Sequence, residues 1–317
     1  MERAVPKAVS IGEGMVEIRV LDPDRASIGF GGDTMNVAIY LARLGVGVDY
    51  ATALGDDAYS DAMLDLLKDE GVGTGLVRRL PGRLPGLYTI RTDEKGERTF
   101  HYWRDRSPAR ELFDLPDADR LAGDISGFDL IYFSGITLSL YGEAGRQRLL
   151  SALDAARARG ARVAFDSNYR PRNWPDVTKA RAVIGEMLGR TDIALPTLDD
   201  EQALFGDADA AACARRLRAA GVAEVAVKLG AEGAWADGPD GAFPVPIARR
   251  VTPVDTTAAG DSFNAGYLQA RLAGVSQDHA VRAAEALAAE VIRHRGAVIP
   301  RDAMPDLGRR EPGTDKT

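Results

Sequence analysis

The stretch Asp255-Thr-Thr-Ala-Ala-Gly-Asp-Ser-Phe-Asn-Ala-Gly266 holds the strongest chemical signal in the chain. Its small residues let successive main-chain N–H groups turn toward one point, and an apolar helical run follows at Phe263, Tyr267, Leu268 and Leu272. The first N–H groups of a helix have no partner inside it, so this place suits an anion. Asp261 stands beside that anion. A carboxylate there accepts the proton of a hydroxyl that attacks a phosphoryl group. An acid in a first turn is also favoured by the helix dipole alone. The wider context of the chain decides between the two readings.

A second signal is Phe30-Gly-Gly-Asp-Thr-Met-Asn-Val-Ala-Ile-Tyr-Leu-Ala-Arg-Leu-Gly45. Gly31-Gly32 forms a tight loop, Asp33 or Thr34 is expected to cap a helix, and Asp33 and Asn36 offer the donor and acceptor types that hold vicinal hydroxyls. A capped helix with no ligand is the plain alternative. The glycine spacing matches neither GxGxxG nor GxxxxGK[ST], so a Rossmann fingerprint and a P-loop are both out. A third signal is a β-rich stretch that carries Tyr88, Tyr102, Arg104 and Arg106. Arg170 follows a strand. Arginine binds carboxylates bidentately, so a small acidic substrate suits this set. Solvated surface arginines are the alternative, and Arg106 is read as one.

Weaker signals complete the inventory. Lys228-Leu-Gly230-Ala-Glu-Gly233 reads as a nucleotide-side loop or as a strand-to-strand turn. Asp199-Asp200-Glu201 reads as a charged helix start, or as a holder of Mg²⁺ through water. Cys213 is expected in the core, and Trp174 in loop packing.

These residues need a frame that brings them together. Strand-like and helix-like segments alternate over most of the chain. Strands are expected over Val46–Leu54, Phe128–Ser134, Arg162–Asp166, Asp192–Leu195 and Glu224–Lys228. Helices are expected over Ala58–Glu70, Ala144–Arg159 and Ala210–Ala220, and after Leu198. Gly71, Gly160 and Gly221 stand just past the ends of three of them. This rhythm predicts an α/β fold: a mostly parallel central sheet with helices on both faces. Ligands then sit at the carboxyl ends of the strands, which favours Asp166–Arg170, Pro196-Thr197, Lys228–Gly230 and Val254–Thr257. Met15–Phe30 and Gly86–Arg104 break the rhythm. The second reads as a hairpin turning at Glu94-Lys95-Gly96, and the two together suggest a small separate β-sheet.

The 317 residues suffice for a large core without metal or disulfide staples. Lys+Arg of 40 against Asp+Glu of 47 gives a net charge of −7, which disfavours a dedicated nucleic-acid or anionic-membrane binder. One cysteine rules out a disulfide framework and a thiolate zinc cluster. Three separated histidines without an HExxH pair argue against a histidine metal site. No stretch approaches the ~20 apolar residues that span a bilayer, and no apolar signal segment follows the N-terminus. A cytoplasmic protein is expected, with a flexible tail over 308–317.

The two glycine-containing motifs, in this order and near opposite ends of the chain, resemble the two signatures of the ribokinase-like (PfkB) sugar kinase family. The resemblance runs from about Val9 to Pro305. Further stretches are similar to members that act on 2-keto-3-deoxygluconate: Gly31–Asn36, Arg83–Tyr88, Gly96–Arg104, Asn168–Arg172, Thr197–Glu201 and Arg295–Pro300. The resemblance implies a ribokinase-like core over residues 1–14, 31–85 and 105–307, with a β lid over 15–30 and 86–104. It implies transfer of the ATP γ-phosphate to the terminal (6-) hydroxyl of 2-keto-3-deoxygluconate, with Mg²⁺ and a possible K⁺.

By the same resemblance, Asp261 is the base, and Ala258, Ala259 and Gly260 form the anion hole. Gly32, Asp33 and Asn36 contact sugar hydroxyls. Tyr88, Tyr102, Arg104 and Arg170 form the lid and carboxylate contacts. Asn168, Thr197, Lys228, Gly230 and Gly233 fall on the nucleotide side with Gly260. Asp200 is a water-mediated Mg²⁺ contact, and Asp255 and Thr257 mark a monovalent-cation site with the segment around Arg295–Ala297. Two departures stand out. The usual Gly-Ala-Gly-Asp is Ala258-Ala-Gly-Asp261 here, and the hole is expected to survive if φ at 258 stays negative. The usual Asn-x-x-Glu is Thr197 and Asp200. A kinase for a neutral sugar such as fructose or ribose, and a non-catalytic sugar- or nucleotide-binding regulator on the same fold, are the competing readings. A homo-oligomer, with a dimer through the lid as its simplest form, is expected because exposed strand edges pair.

Overall fold

The computed structural model describes residues 6–22, 24–92 and 98–307. The elements run β1 (Lys7–Ile11), β2 (Met15–Asp22), β3 (Arg25–Gly31), α1 (Asp33–Arg43), β4 (Gly47–Leu54), α2 (Ala58–Asp69), β5 (Val77–Arg79), β6 (Gly86–Thr92) and β7 (Arg98–Trp103). They continue with α3 (Ala118–Ile125), β8 (Leu130–Ser134), α4 (Gly135–Leu140), α5 (Glu143–Ala158), β9 (Arg162–Asp166), α6 (Val177–Leu188), β10 (Ile193–Ala194), α7 (Leu198–Phe205) and α8 (Ala210–Ala219). The last are β11 (Glu224–Lys228), β12 (Ala234–Gly238), β13 (Gly241–Val245), α9 (Ala259–Leu272) and α10 (Gln277–Val291).

Nine strands form one sheet in the order β13-β12-β11-β10-β9-β8-β1-β4-β5. Every pair from β11 to β5 is parallel, and the β11-β12 and β12-β13 pairs are antiparallel. Central strands are buried on both faces, which is why they read as apolar runs. Val9, Ile131, Phe133, Val163, Phe165 and Val225 face one core, which α3 to α8 close. Ala8, Leu130, Tyr132, Ala164 and Ala226 face the other, closed by α1, α2, α9 and α10. The expected fold class is the observed one.

The expected elements lie within a residue or two of the observed ones, the usual uncertainty of element ends. Gly71, Gly160 and Gly221 adopt positive φ (77°, 92° and 105°), as the chain leaves a helix. Cys213 is fully buried and Trp174 packs against the core. One local expectation fails. Neither Asp33 nor Thr34 caps α1: the N-cap is Gly32, with no side-chain cap bond. A Cβ at Gly32 would stand 2.2 Å from the Glu13 carbonyl oxygen, so only glycine lets the chain enter α1 this close to the β1–β2 turn.

A second sheet has four strands in the order β3-β2-β6-β7. It is built from the two stretches that lacked helical period. The turn expected at Glu94–Gly96 and the tail at 308–317 lie outside the described residues. Met15, Tyr88 and Ile90 form a small apolar cluster on the inner face of this sheet, with Phe100 and Tyr102 against it. No helix among the described residues is long and apolar enough to cross a membrane.

Candidate functional site

Two cavities meet at the carboxyl ends of the central strands. The first, about 410 Å³, lies between the inner face of the small sheet and the start of α9. The second, about 520 Å³, is more apolar and is walled by Gly230, Gly233, Ile247, Val251, Phe263 and Ile292. Thr197, Lys228, Thr256, Ala259 and Gly260 line both, so these residues are the seam through which the cavities communicate.

Asp261 enters the first cavity from the first turn of α9, and Asn36 of α1 donates to its Oδ2 at 2.7 Å. Packed protein surrounds the carboxyl and raises its pKa to about 7, and the Asp33 charge adds to the rise; the Asn36 bond and the Lys228 charge oppose it. Asp33 itself accepts from Asn168 Nδ2 at 2.9 Å and from Ser134 Oγ. Asp33 is thus a held acceptor on the cavity wall and not a helix cap.

The turn expected to form an anion hole departs from its expected backbone. Ala258 has φ 60° and ψ 16°, the left-handed region, where a negative φ was expected. The expected negative φ is not found. A left-handed residue followed by right-handed ones is what makes successive N–H groups converge into a nest. The Ala259 N–H meanwhile reaches Thr256 O at a long 3.3 Å, a weak bond. An alanine in this region costs ~1–2 kcal/mol. Ala258→Gly is therefore expected to leave turnover near normal and to raise the melting temperature or leave it unchanged, since the lost strain offsets the greater freedom of glycine in the unfolded chain. A melt that drops by several degrees would contradict the strain at 258.

The residues expected to hold a sugar acid converge, with partners the sequence did not reveal. Tyr88 is buried and donates to Glu17 Oε2 at 2.6 Å, and Tyr102 stacks on it with ring centroids 5.6 Å apart. Arg104 pairs with the buried Glu13, whose pKa is raised by burial. Arg170 Nη1 contacts both oxygens of Asp200 at 3.0 and 3.1 Å and donates to Tyr169 O at 2.8 Å. Asp200 does not line either cavity. Both of its oxygens accept from Arg170. Asn168, expected on the nucleotide side, lines the first cavity at φ 34° and holds Asp33.

On the seam itself, Lys228 Nζ bonds Asp166 Oδ2 at 2.6 Å, and beyond it Gly230 and Gly233 line the second cavity. The segment they begin is both things the sequence allowed, a cavity loop and the link from β11 to β12. Asp255 organises the loop before α9. Its Oδ1 accepts from Thr257 N at 2.9 Å and Thr257 Oγ1 at 2.6 Å, and its Oδ2 from Gly296 N at 3.0 Å. Arg172 had no assigned role. Its guanidinium lies 3.8 Å over the Tyr102 ring at the cavity wall. Its only signal in the sequence is its place two residues beyond Arg170 in the Asn168–Arg172 stretch.

Comparisons with known proteins agree with this geometry. A model of the pfkB family carbohydrate kinases matches residues 6–304. The chain is 45% identical over 302 residues to a 2-dehydro-3-deoxygluconokinase of Dickeya dadantii, covering 93% of this chain and 97% of that one. It is 44% identical over 306 residues to the protein of that name from Escherichia coli K12, covering 94% and 99%. Among solved structures, a 2-dehydro-3-deoxygluconokinase of Thermotoga maritima superposes with TM-score 0.82 at 24% identity, covering 94% and 96%. A putative ribokinase II of E. coli in complex with ATP and Mg²⁺ superposes with TM-score 0.82 at 22% identity, covering 95% and 96%.

Proposed function

The chain belongs to the pfkB family of carbohydrate kinases, and from that premise we propose that it transfers the γ-phosphoryl group of ATP to the terminal hydroxyl of 2-keto-3-deoxygluconate. The product is 2-keto-3-deoxy-6-phosphogluconate. The observation that carries the reading is the seam: a carboxyl on a helix N-terminus on one side, an apolar cavity with glycine-rich walls on the other, and the main-chain nest of α9 between them. The relatives' names support the substrate, and the arginine and tyrosine set supplies the chemistry a keto acid needs.

In this reading the sugar acid lies in the first cavity. Gly32, Asp33 and Asn36 meet its hydroxyls, and Tyr88, Tyr102, Arg104 and Arg170 its carboxylate end. The nucleotide lies in the second cavity with its phosphates toward Ala258, Ala259 and Gly260, against Thr197, Lys228, Gly230 and Gly233. ATP arrives with Mg²⁺, as in the ribokinase II neighbour, and the ion neutralises part of the phosphate charge. Asp261 takes the proton of the attacking hydroxyl, the nest and the helix dipole receive phosphate charge, and the small sheet serves as a lid that keeps water, a competing acceptor, out of the site. A monovalent cation beside the Asp255–Thr257 turn belongs to the same proposal, and activation by K⁺ over Na⁺ at equal ionic strength tests it.

The first test is an ADP-release assay with 2-keto-3-deoxygluconate, fructose, ribose and gluconate. Turnover confined to the keto acid is the expected result. Preference for a neutral sugar overturns the roles of Arg104 and Arg170, and no turnover on any sugar favours a binding protein. The pH profile gives a second check. Asp261 works as the ionised base, so kcat/KM is expected to climb with pH through about 7, by up to tenfold per unit below that point. A flat profile from pH 5.5 to 8 would remove Asp261 as the base.

The outer face of the lid carries Ile28 and Trp103, 57% and 61% exposed. We place a dimer contact there. Light scattering is expected to give twice the chain mass for wild type and a monomer for Ile28→Lys/Trp103→Lys; a monomeric wild type removes the contact.

A further inference from the structure

Lys228 is the single charged residue among the five that line both cavities, and it is 7% exposed. Its ammonium donates to Asp166 Oδ2 at 2.6 Å and to Asn264 Oδ1 at 3.0 Å. Asn264 in turn donates to the same Asp166 oxygen at 2.8 Å and to the Tyr132 hydroxyl at 3.0 Å, and Asp166 Oδ1 accepts from the Asn168 N–H at 3.0 Å. Asn264 lies one helical turn beyond Asp261 on α9, so one helix carries the base and anchors the ammonium. A Cβ built on Gly260 would lie 3.5 Å from the Lys228 Nζ, which puts the charge against the N-terminus that forms the nest.

Resting on the kinase reading above, we propose that Lys228 is a catalytic residue. Its ammonium donates to a non-bridging oxygen of the phosphoryl group as that group crosses the seam, and Asp166 and Asn264 are the positioning residues that hold it there. An ammonium has three N–H groups. Two are spent on its anchors, and the third is the one a phosphoryl oxygen takes. In the step itself, a bond forms between the sugar hydroxyl oxygen and the γ-phosphorus. The bond from that phosphorus to the β,γ-bridging oxygen breaks, and the electron pair leaves with ADP. The hydroxyl proton goes to Asp261, and Lys228 neither gives nor takes one.

Two arguments favour this role over a purely structural ion pair. A buried pair is a poor source of stability, because desolvating both ions offsets most of their attraction, so apolar side chains would fill the place as well. The site also gathers the acids Asp33, Asp166 and Asp261 on its walls and must then admit a polyanion. A fixed cation at the crossing point is what that electrostatics requires.

The test compares purified wild type, Lys228→Met and Asp166→Asn/Lys228→Met on 2-keto-3-deoxygluconate and Mg-ATP. Lys228→Met is expected to lower kcat by at least about 10²-fold while KM for the sugar stays within about threefold. Its acid-side limb of kcat/KM is expected at higher pH than in wild type, because a positive charge near Asp261 is gone. The double variant removes the carboxylate that the single change leaves unpaired, so it decides the matter even where Lys228→Met does not fold. It is expected to fold and to remain slow. A double variant with kcat near wild type overturns the proposal and makes Lys228 structural. So does a Lys228→Met whose kcat is normal and whose KM for ATP alone has risen. Wild type that is inactive on the keto acid but active on another sugar of the panel refutes the substrate assignment instead, and the same three proteins are then compared on that sugar.

Discussion

Asp261→Asn is expected to lower kcat by at least about 10²-fold without loss of fold, the magnitude of a general base removed from a phosphoryl acceptor. The asparagine keeps the shape and the Asn36 contact but cannot accept the hydroxyl proton. Stability should move the other way. The folded chain raises the Asp261 pKa to about 7, far above the ~3.9 of an unfolded aspartate. Such a group gives stability that is fully present below the unfolded value and is lost as pH rises through the folded one. At pH 8 wild type carries a charge the site disfavours, and the variant does not. The melting temperature of Asp261→Asn at pH 8 should therefore equal or exceed that of wild type, with the gap closing toward pH 5. Slow turnover together with a lower melting point at pH 8 would mean that the substitution damages the site and does not merely remove a base.

The second large effect is expected at Arg170. Arg170→Ala should raise KM for the keto acid by about 10- to 10²-fold, the range of a charge-assisted contact to a carboxylate, and leave KM for ATP within about threefold. The structure explains how the residue can serve two masters. Nη1 is tied to Asp200 and to Tyr169 O, while the side chain stays 41% exposed. The rest of the guanidinium fork is left for the carboxylate contact proposed above. Arg170→Lys keeps the charge but loses the fork, and it should recover only part of the affinity. Equal losses for sugar and nucleotide would contradict a carboxylate role. Arg104 is less suited to the same experiment, since removing it leaves Glu13 buried without its cation and costs stability as well.

The alternation of strands and helices could be read from the sequence because each element carries its own period of apolar residues, and glycines mark three of its helix ends. The placing of Asp261 and the glycine-rich loops on one cavity system could be read because a strand end, small residues and an acid follow one another along the chain. What escaped depends on residues that the fold brings together. Glu13 meets Arg104 across 91 positions, and Asp200 meets Arg170 across 30, so neither pairing leaves a local trace. Asn168 lines the first cavity, and not the second where the nucleotide contacts were expected, because its side chain is drawn to Asp33, 135 positions away. The handedness at Ala258 escaped for a different reason. The turn around it sets the backbone there, and an alanine gives no hint of positive φ.

Among the described residues, only Ala258 and Asn168 adopt positive φ without being glycine, and both line the first cavity. Left-handed backbone is tolerable for asparagine and unfavourable for alanine, and it persists only where the surroundings over-determine it. The fold therefore places both of its left-handed non-glycine residues on the wall of the first cavity. Position 258 is then a place where a glycine could relieve strain without loss of turnover, so stability there is open to improvement.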